Sequence, residues 1–240
     1  MTAKTTETPT ASIVMPCYNV AATLDEQLGR LLPQIDLTGA ELVLVDNNST
    51  DGTQELLARL EGRRNIVVTR ATEAQGAAHA RNCGVALARA DKLLFCDADD
   101  LVSPKWVEIM TNALATDSVV TGTLDITELN DANQQAGRGT TTGLASFYGL
   151  FPIAHAGNMA VTRSAWEAIG PLDEALTTGE DMEWSLRAKT SGHDIVRASD
   201  GVVHYRYRQT TRALWRQGFL YGQFRPEVAR RVHDSLGERV

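Results

Sequence analysis

The sequence predicts an α/β protein built on an open, mostly parallel sheet with helices on both faces. Four apolar runs carry the first part of that expectation: Ser12–Met15, Glu41–Val45, Asn65–Thr69 and Asp91–Cys96. Each is rich in Val, Ile, Leu or Phe and shows little strict alternation, which suits strands buried on both faces. Helical stretches fill the gaps between them, and the order β-α-β-α-β-α-β-α calls for right-handed crossovers. Polar or acidic residues follow three of the strands. They lie at the carboxyl ends, where open α/β sheets bind their ligands.

The helices read as follows. Ala22–Leu32 is the first, and Gly52–Leu60 follows with Ser49 or Asp51 as N-cap. Gly76–Ala90 is the third. Ser103-Pro104 then opens a helix to about Thr116, with Ser as N-cap and Pro at the first helical position. Beyond it, Val119–Thr121 and Ala160–Thr162 read as short strands, and Ser164–Ile169 and Glu180–Thr190 as helices. Asp131–Gly143 is polar and Gly-rich, so a mobile loop is expected there. Ile195–Ala198 and Gly201–Tyr205 read as two strands, Gln209–Tyr221 and Pro226–Leu236 as two helices. Residues 1–10 are expected to be a disordered tail, 11–205 the main domain with halves 11–121 and 122–205, and 206–240 a helical extension.

Composition excludes several classes. The chain of 240 residues is 43% hydrophobic and 22% charged, as folded chains are. No apolar run approaches the ~18–20 residues of a membrane span, and the N-terminus lacks the apolar core of a secretory signal. Three cysteines without a CxxC pair speak against a zinc site or a disulfide framework and suit a reducing cytoplasm. The net charge is −7, unevenly spread. Arg197–Val240 holds nine Arg, no Lys and four acidic residues, a net of +5, which leaves −12 on Met1–Val196. Such a body is a poor nucleic-acid binder. Its basic tail is suited to meeting an anion.

The chemistry-bearing residues sit after the strands. They are Pro16-Cys17-Tyr18-Asn19, the stretch Asp46-Asn47-Asn48-Ser49-Thr50-Asp51-Gly52, and Asp97-Ala98-Asp99-Asp100. There is no GxGxxG after the first strand and no GxxxxGK[ST] anywhere, which disfavours a dinucleotide fold or a P-loop. Carboxylates repel phosphate, but they serve it by holding Mg2+ or Mn2+, which takes one or two carboxylates plus phosphate oxygens. Asp97-Ala98-Asp99 is placed for that. It reads equally well as an acidic turn that caps the next helix.

In company, these residues resemble the family 2 glycosyltransferases of the GT-A fold. The matches are Pro16-x-Tyr18-Asn19, Asp46-x-x-Ser49-x-Asp51-Gly52-Thr53, Gly76-x-x-x-x-Arg81-Asn82-x-Gly84, the DxD-like Asp97-Ala98-Asp99-Asp100, and Gly179-Glu180-Asp181. They fall in the family's order from about Ala11 to His204. The resemblance implies a nucleotide-sugar half (11–121) and an acceptor half (122–205). Pro16, Tyr18, Asn19, Asp46, Arg81, Asp97 and Ala98 would bind the nucleotide sugar. Tyr18 would lie against the base, Asp46 would accept its N–H, and Arg81 would pair with Asp46 or contact the nucleotide. Asp97 would meet the ribose or the same network. Asp99 would bind a divalent metal, Mn2+ or Mg2+, joined by His204, which resembles the family's late histidine ligand. Asp181 would be the general base and Glu180 its companion, each pointing a different way from a helix start. The reaction implied is inverting transfer from a nucleotide-diphosphate sugar, a UDP-sugar favoured, to an alcohol-bearing acceptor: a sugar, a lipid-linked or a small molecule.

Plainer readings stand beside these. Asp46 and Asp51 suit turn and N-cap roles, Tyr18 packing, Arg81 a solvated face, Glu180-Asp181 a helix N-terminus and His204 a structural place. His79, His155, His193 and His233 receive no role, and Cys96 reads as core. Gly157-Asn158-Met159 resembles the family's acceptor-side loop. The compact Gln-x-x-Arg-Trp motif of processive members survives only as Gln209-x-x-Arg212-x-x-Trp215, so one transfer per event is expected. A non-catalytic nucleotide- or glycan-binding module and a sugar-nucleotide pyrophosphorylase are the alternatives. The stretch Asp200–Arg208 is expected to close over the donor. Arg208, Arg212 and Arg216 would form a stripe, facing either the acidic body or an anionic acceptor or membrane surface. The expected location is therefore cytoplasmic, with peripheral contact at the inner membrane face under the second reading. Nothing in the sequence sets the oligomeric state.

Overall fold

A computed structural model of the chain describes residues 8–135, 143–207 and 211–237. Its first half follows the expected alternation. Strands β1 (Ser12–Cys17), β2 (Glu41–Asp46), β3 (Ile66–Arg70) and β4 (Lys92–Cys96) are all parallel and lie in the order β3-β2-β1-β4. Helices α1 (Leu24–Thr38), α2 (Thr53–Ala58) and α3 (Ala77–Leu87) connect them. The two-residue period of a strand sorts the core into two layers. Ile13 and Met15 face α1, joining Leu24, Leu31, Ile35, Leu42 and Leu44. Val14 faces the other way, joining Val43, Val45, Phe95, Trp166 and Trp184.

The chain winds from β1 outward to β3, then returns to lay β4 on the other side of β1. The crevice at such a reversal, outside the carboxyl ends, is where this architecture holds ligands. Here it is widened. β1 pairs with β4 only over Ser12–Val14, and Pro16, which has no N–H to offer, lies beyond that pairing.

The second half completes one eight-stranded sheet in the order β3-β2-β1-β4-β9-β6-β10-β5. Its strands are β5 (Leu101–Val102), β6 (Val119–Asp125), β9 (Asn158–Thr162) and β10 (Ile195–His204), while β7 (Ser146–Phe147) and β8 (Phe151–Pro152) make a separate hairpin. β9 is antiparallel to β4 and β6, and β10 is parallel to β6 and antiparallel to β5. The remaining helices are α4 (Trp106–Ala113), α5 (Ala132–Gln135), α6 (Arg163–Ile169), α7 (Glu180–Thr190) and α8 (Thr211–Leu236).

Several expectations are corrected. α1 starts at Leu24 and runs on through Pro33 to Thr38, because burial of Leu31 and Ile35 outweighs one missing hydrogen bond. Neither Ser49 nor Asp51 is the N-cap of α2: Gly52 is, in the left-handed region, and Asp51 Oδ1 accepts from Thr53 N at 3.1 Å and Thr53 Oγ1 at 2.6 Å just before it. Ser103-Pro104 does not open α4. Ser103 N donates to Val202 O at 2.9 Å as the pairing of β5 with β10 ends, and the helix begins at Trp106 after Lys105 in the left-handed region. The two late strands are one, β10, with a register shift between Arg197 and Val202. The two late helices are also one, with Pro226 inside α8. Within the expected loop, Ala132–Gln135 is helical, and 136–142 lie outside the described residues.

The C-terminal helix packs on the body. Val228 and Val232 of α8 are buried against Phe147, Phe151, Ile153 and Leu186, and Arg231 Nη1 lies 2.8 Å from Asp173 Oδ2. The stretch expected to close over a ligand is also partly built in, since Val203 and His204 pair with β5 on one side and β6 on the other. Trp215 and Phe219 of α8 stack with ring centroids 5.7 Å apart, and both are exposed. Arg208 and the side chains of Arg212 and Arg216 lie outside the described residues, and the expected stripe with them.

Gly84 sets how closely α3 approaches the sheet. A Cβ there would lie 2.5 Å from Val14 Cγ1 and 3.0 Å from Val45 Cγ2. Gly84→Ala should therefore destabilise by about 1–3 kcal/mol through overpacking. Gly29→Ala, on the exposed side of α1 with nothing within 4 Å, should stabilise by about 0.5–1 kcal/mol. Urea unfolding of the two variants should move in opposite directions.

Candidate active site

The loops after β1 and β2 are laced together by the residues the sequence singles out. Asn19, in the left-handed region at φ 52°, donates its N–H to Ser49 Oγ at 3.0 Å and accepts from Thr50 N at 2.8 Å. Ala21 N donates to Asp51 Oδ2 at 3.0 Å. Tyr18 between them is not core packing, for it is 53% exposed. Ala98 is buried, and its carbonyl accepts from Thr23 Oγ1 at 3.4 Å.

Asp46 closes β2 almost completely buried. Its Oδ1 accepts from Ser49 N at 3.3 Å, while Oδ2 has no hydrogen bond and stands 3.7 Å from Arg70 Nε. A shallow cavity of about 290 Å³ lies beside it, lined by Gln54, Leu57, Ala58, Val68 and Arg70 among others.

The expected pairing of Arg81 with Asp46 is corrected. α3 packs on β1 and β2 and carries Arg81 across to the end of β4. There Nη2 lies 2.5 Å from Asp97 Oδ1, and Nη1 lies 2.9 Å from Glu180 Oε1. Nor is Arg81 on a solvated face, since its side chain is 4% exposed. Asp97 is hemmed in on its other side, where a Cβ on Gly157 would sit 2.7 Å from Oδ2.

Gly179, in the left-handed region at φ 75°, turns the chain into α7, and the two acids that follow diverge. Glu180 goes to Arg81. Asp181 Oδ2 accepts from Ala156 N at 3.4 Å and lies 3.6 Å from His155 Nδ1, while Oδ1 accepts from Met182 N at 2.8 Å. Their charge states are pushed apart. Burial and the neighbouring Asp181 charge raise the Glu180 carboxyl above its usual range, against the pull of Arg81. Burial alone would raise Asp181 too, but His155 and Arg81 outweigh it and hold this carboxyl low. A pair of acids so separated is what acid–base chemistry uses. His155 carried no sequence signal because its partner comes 25 residues later, measured from Ala156.

Two groups of side chains are arranged as cation sites are. Asp97, Asp99 and Asp100 present oxygens within 4.8 Å of one another. Asp100 Oδ1 accepts from Arg206 N at 2.8 Å, and Oδ2 is buried without a hydrogen-bond partner. Burial, with the Asp99 and Asp97 charges, pushes Asp100 well up. Arg206 also donates to the Asp99 carbonyl at 3.0 Å and to Glu26 at 2.7 Å. The second group is Asp125, Glu128 and His204. His204 Nδ1 lies 2.7 Å from Asp125 Oδ2, and Nε2 lies 3.1 Å from Glu128 Oε2. His204 and Asp99 thus belong to different groups. Sequence reasoning assigned no role to Asp125 or Glu128, and it brought in Arg206 only as a cation of the stretch expected to close over the donor.

The mostly parallel sheet, with an acidic turn at its reversal and an acidic helix start opposite, has the GT-A fold seen in solved glycosyltransferases. Residues 12–170 match the sequence model of Glycosyl transferase family 2, and the chain belongs to that family. It is 30% identical over 227 residues to the succinoglycan biosynthesis protein ExoA of Rhizobium meliloti, covering 89% of this chain and 68% of that one. It is 27% identical over 204 residues to the glycosyltransferase AglE of Haloferax volcanii, covering 82% and 67%. Two solved structures share the fold. S. aureus TarS 1-349 in complex with UDP-GlcNAc has a TM-score of 0.65 at 20% identity, covering 83% of this chain and 59% of that one. The mannosyltransferase PcManGT from Pyrobaculum calidifontis, in complex with GDP-Man and Mn2+, has a TM-score of 0.66 at 22% identity, covering 88% and 61%. The chain therefore spans about two thirds of these relatives' length and about three fifths of the solved chains.

The second group makes an acid-stability prediction. Burial opposes it, but Thr127, His204 and the Glu128 N–H together hold the Asp125 carboxyl down to about 2, from an ordinary 3.8. A depressed carboxyl contributes stability above its unfolded value and loses it as pH falls through the folded one. The contribution is about 2 kcal/mol, present above about pH 4 and gone near pH 2. Asp125→Asn should therefore be less stable than the parent at pH 6 and should lose less on acidification. Urea midpoints at pH 6 and pH 3 measure both.

Proposed function

We propose that this chain transfers a sugar, with inversion, from a nucleotide-diphosphate sugar to an acceptor hydroxyl, with a divalent cation at Asp97, Asp99 and Asp100 and with Asp181 as general base. The observation that carries the reading is the divergence of Glu180 and Asp181: one is tied through Arg81 to Asp97, the other is held ionised beside it.

The residues at the first group fit a cation. Three carboxylates crowd together there, and a buried oxygen of Asp100 lacks a partner. Mn2+ or Mg2+ suits such an all-oxygen set, as in the PcManGT complex with Mn2+. When bound, the cation neutralises charge that develops on the diphosphate leaving group. Asp99 is its principal ligand in this reading. His204 joins it only by releasing Asp125 or Glu128, since both ring nitrogens face those carboxylates.

The chain's own residues do the rest. Tyr18 presents an exposed ring for the base to lie against. Asp46 Oδ2, buried and without a hydrogen bond, accepts a ring N–H of the base, which uracil, thymine and guanine all offer. Pro16, Asn19 and Ala98 shape the crevice, and Arg81 fixes Asp97 along its floor. The acceptor oxygen attacks the anomeric carbon as the bond to the diphosphate breaks, and the acceptor proton passes to Asp181. The acceptor is an alcohol on a sugar, a lipid-linked carrier or a small molecule, and each event makes one bond. Among the described residues no helix is long and apolar enough to cross a membrane.

Two substitutions test the reading. Asp99→Asn should abolish the Mn2+-dependent part of UDP or GDP binding in calorimetry, and unchanged metal-dependent affinity refutes the cation assignment. Asp181→Asn should lower turnover by about 10²–10⁴-fold with donor affinity nearly constant. Turnover within threefold of the parent moves the base elsewhere.

A further inference from the structure

We propose that His155 is a positioning residue for the transfer, its Nδ1–H fixing the orientation and the charge state of Asp181. The inference rests on Asp181 being the base.

His155 lies in the turn that joins β8 to β9, and that turn is pinned. His155 N faces Thr121 Oγ1 at 3.4 Å, and its carbonyl accepts from Asn158 N at 2.8 Å. Next door, Ala154 N donates to Ser185 Oγ at 3.0 Å, and Ser185 Oγ donates to the Asp181 carbonyl at 2.6 Å. One hydroxyl thus ties the turn to the first turn of α7. The imidazole and the carboxylate are held face to face by their own backbones.

The ring's surroundings settle where its proton sits. Nδ1 lies 3.6 Å from Asp181 Oδ2, and Nε2 is buried with no partner. A proton on Nε2 alone would bury an unpaired donor and turn the Nδ1 lone pair toward a carboxylate. A single proton on Nδ1 avoids both costs and points at Oδ2. The contact is longer than a hydrogen bond in the free enzyme. Such contacts tighten when the reacting complex forms.

Asp181 needs this support because of its neighbours. Glu180 on α7 and Asp97 at the end of β4 are carboxylates that disfavour a further negative charge. Arg81 on α3 opposes them, but its guanidinium bonds go to Asp97 and Glu180. Direct donors to Oδ2 are left to the Ala156 N–H and the His155 side.

The test compares His155→Ala, His155→Asn and Asp181→Asn. Asn keeps a neutral N–H donor at the Nδ1 position but cannot titrate. The assay is Mn2+-dependent hydrolysis of UDP-glucose, UDP-GlcNAc or GDP-mannose, whichever turns over. His155→Ala should lose ten- to a hundredfold in kcat, on the order of a hydrogen bond to a charged group, with KM for the donor unchanged. Its acid limb in the pH–rate profile should move upward, since Asp181 loses a group that holds it ionised. His155→Asn should recover most of the loss and the parent limb. Equal loss in both variants, an unmoved limb, or His155→Ala within twofold of the parent overturns the proposal while leaving the base assignment intact. An active Asp181→Asn overturns both. Nitrogen-15 imidazole spectra of the intact protein give an answer without turnover: the Nδ1–H tautomer at neutral pH is expected, and an Nε2–H tautomer overturns the proposal.

Discussion

One buried guanidinium ties the end of β4 to the start of α7. Arg81 reaches Asp97 at the end of β4 and Glu180 at the start of α7, a residue 99 positions further along the chain. Removing a cation from water costs several kcal/mol, recovered only when its partners are in place and well oriented. The site therefore forms as a unit. α3 must approach the sheet, which Gly84 permits, and α7 must dock before the charge is matched. Because Asp181 follows Glu180 directly, the ion pair of one residue sets the place of the next. The carboxyl end of β4 and the acidic start of α7 are thus held by one side chain.

A second tie organises the far side of the sheet, and it is uncharged. Asn158 opens β9 and is wholly buried. Its Oδ1 accepts from Trp106 Nε1 at 2.9 Å, and its Nδ2 donates to the carbonyls of Thr123 and Gly201, each at 2.9 Å. Those carbonyls flank the place where the register of β10 shifts against β6. A bulge leaves backbone groups without ladder partners, and the side-chain amide takes them up. The fit leaves no room, since a Cβ on Gly122 would meet the Gly201 carbonyl at 2.0 Å. Past the bulge, Val203 and His204 re-enter the ladder, and His204 comes to Asp125, its register partner.

The sequence was most legible where local signals and burial agree. The four parallel strands show as apolar runs because both faces are covered, and Glu180–Thr190 is helical over the expected span because its acidic start and Ser-Gly end mark it. Legibility failed where long-range pairing outweighed local preference. Ser103-Pro104 has the form of a helix start, yet β5 needs the Ser103 N–H for Val202. Two apolar runs around Asp200-Gly201 read as two strands because nothing local shows that Asn158 bridges the break. The residues of the site could be picked out, but their partners could not. Arg81 was visible as an arginine on an Ala-rich helix, and only the packing of α3 shows that it belongs to Asp97. His155 was invisible, because a lone histidine before Ala-Gly has no pattern of its own.

The charge pattern follows from the same geometry. Asp97, Asp99, Asp100, Glu180 and Asp181 all crowd the end of the sheet, while Arg81 is committed to Asp97 and Glu180 and Arg206 spans the Asp99 carbonyl and Glu26. Burial, with the neighbouring Asp99 and Asp97 charges, pushes Asp100 upward against the pull of Arg206. A diphosphate meeting that surface alone is repelled. A cation held by Asp97, Asp99 and Asp100 would offset that charge where a diphosphate would sit. In the proposed reaction a metal held there would therefore serve donor binding as well as bond cleavage.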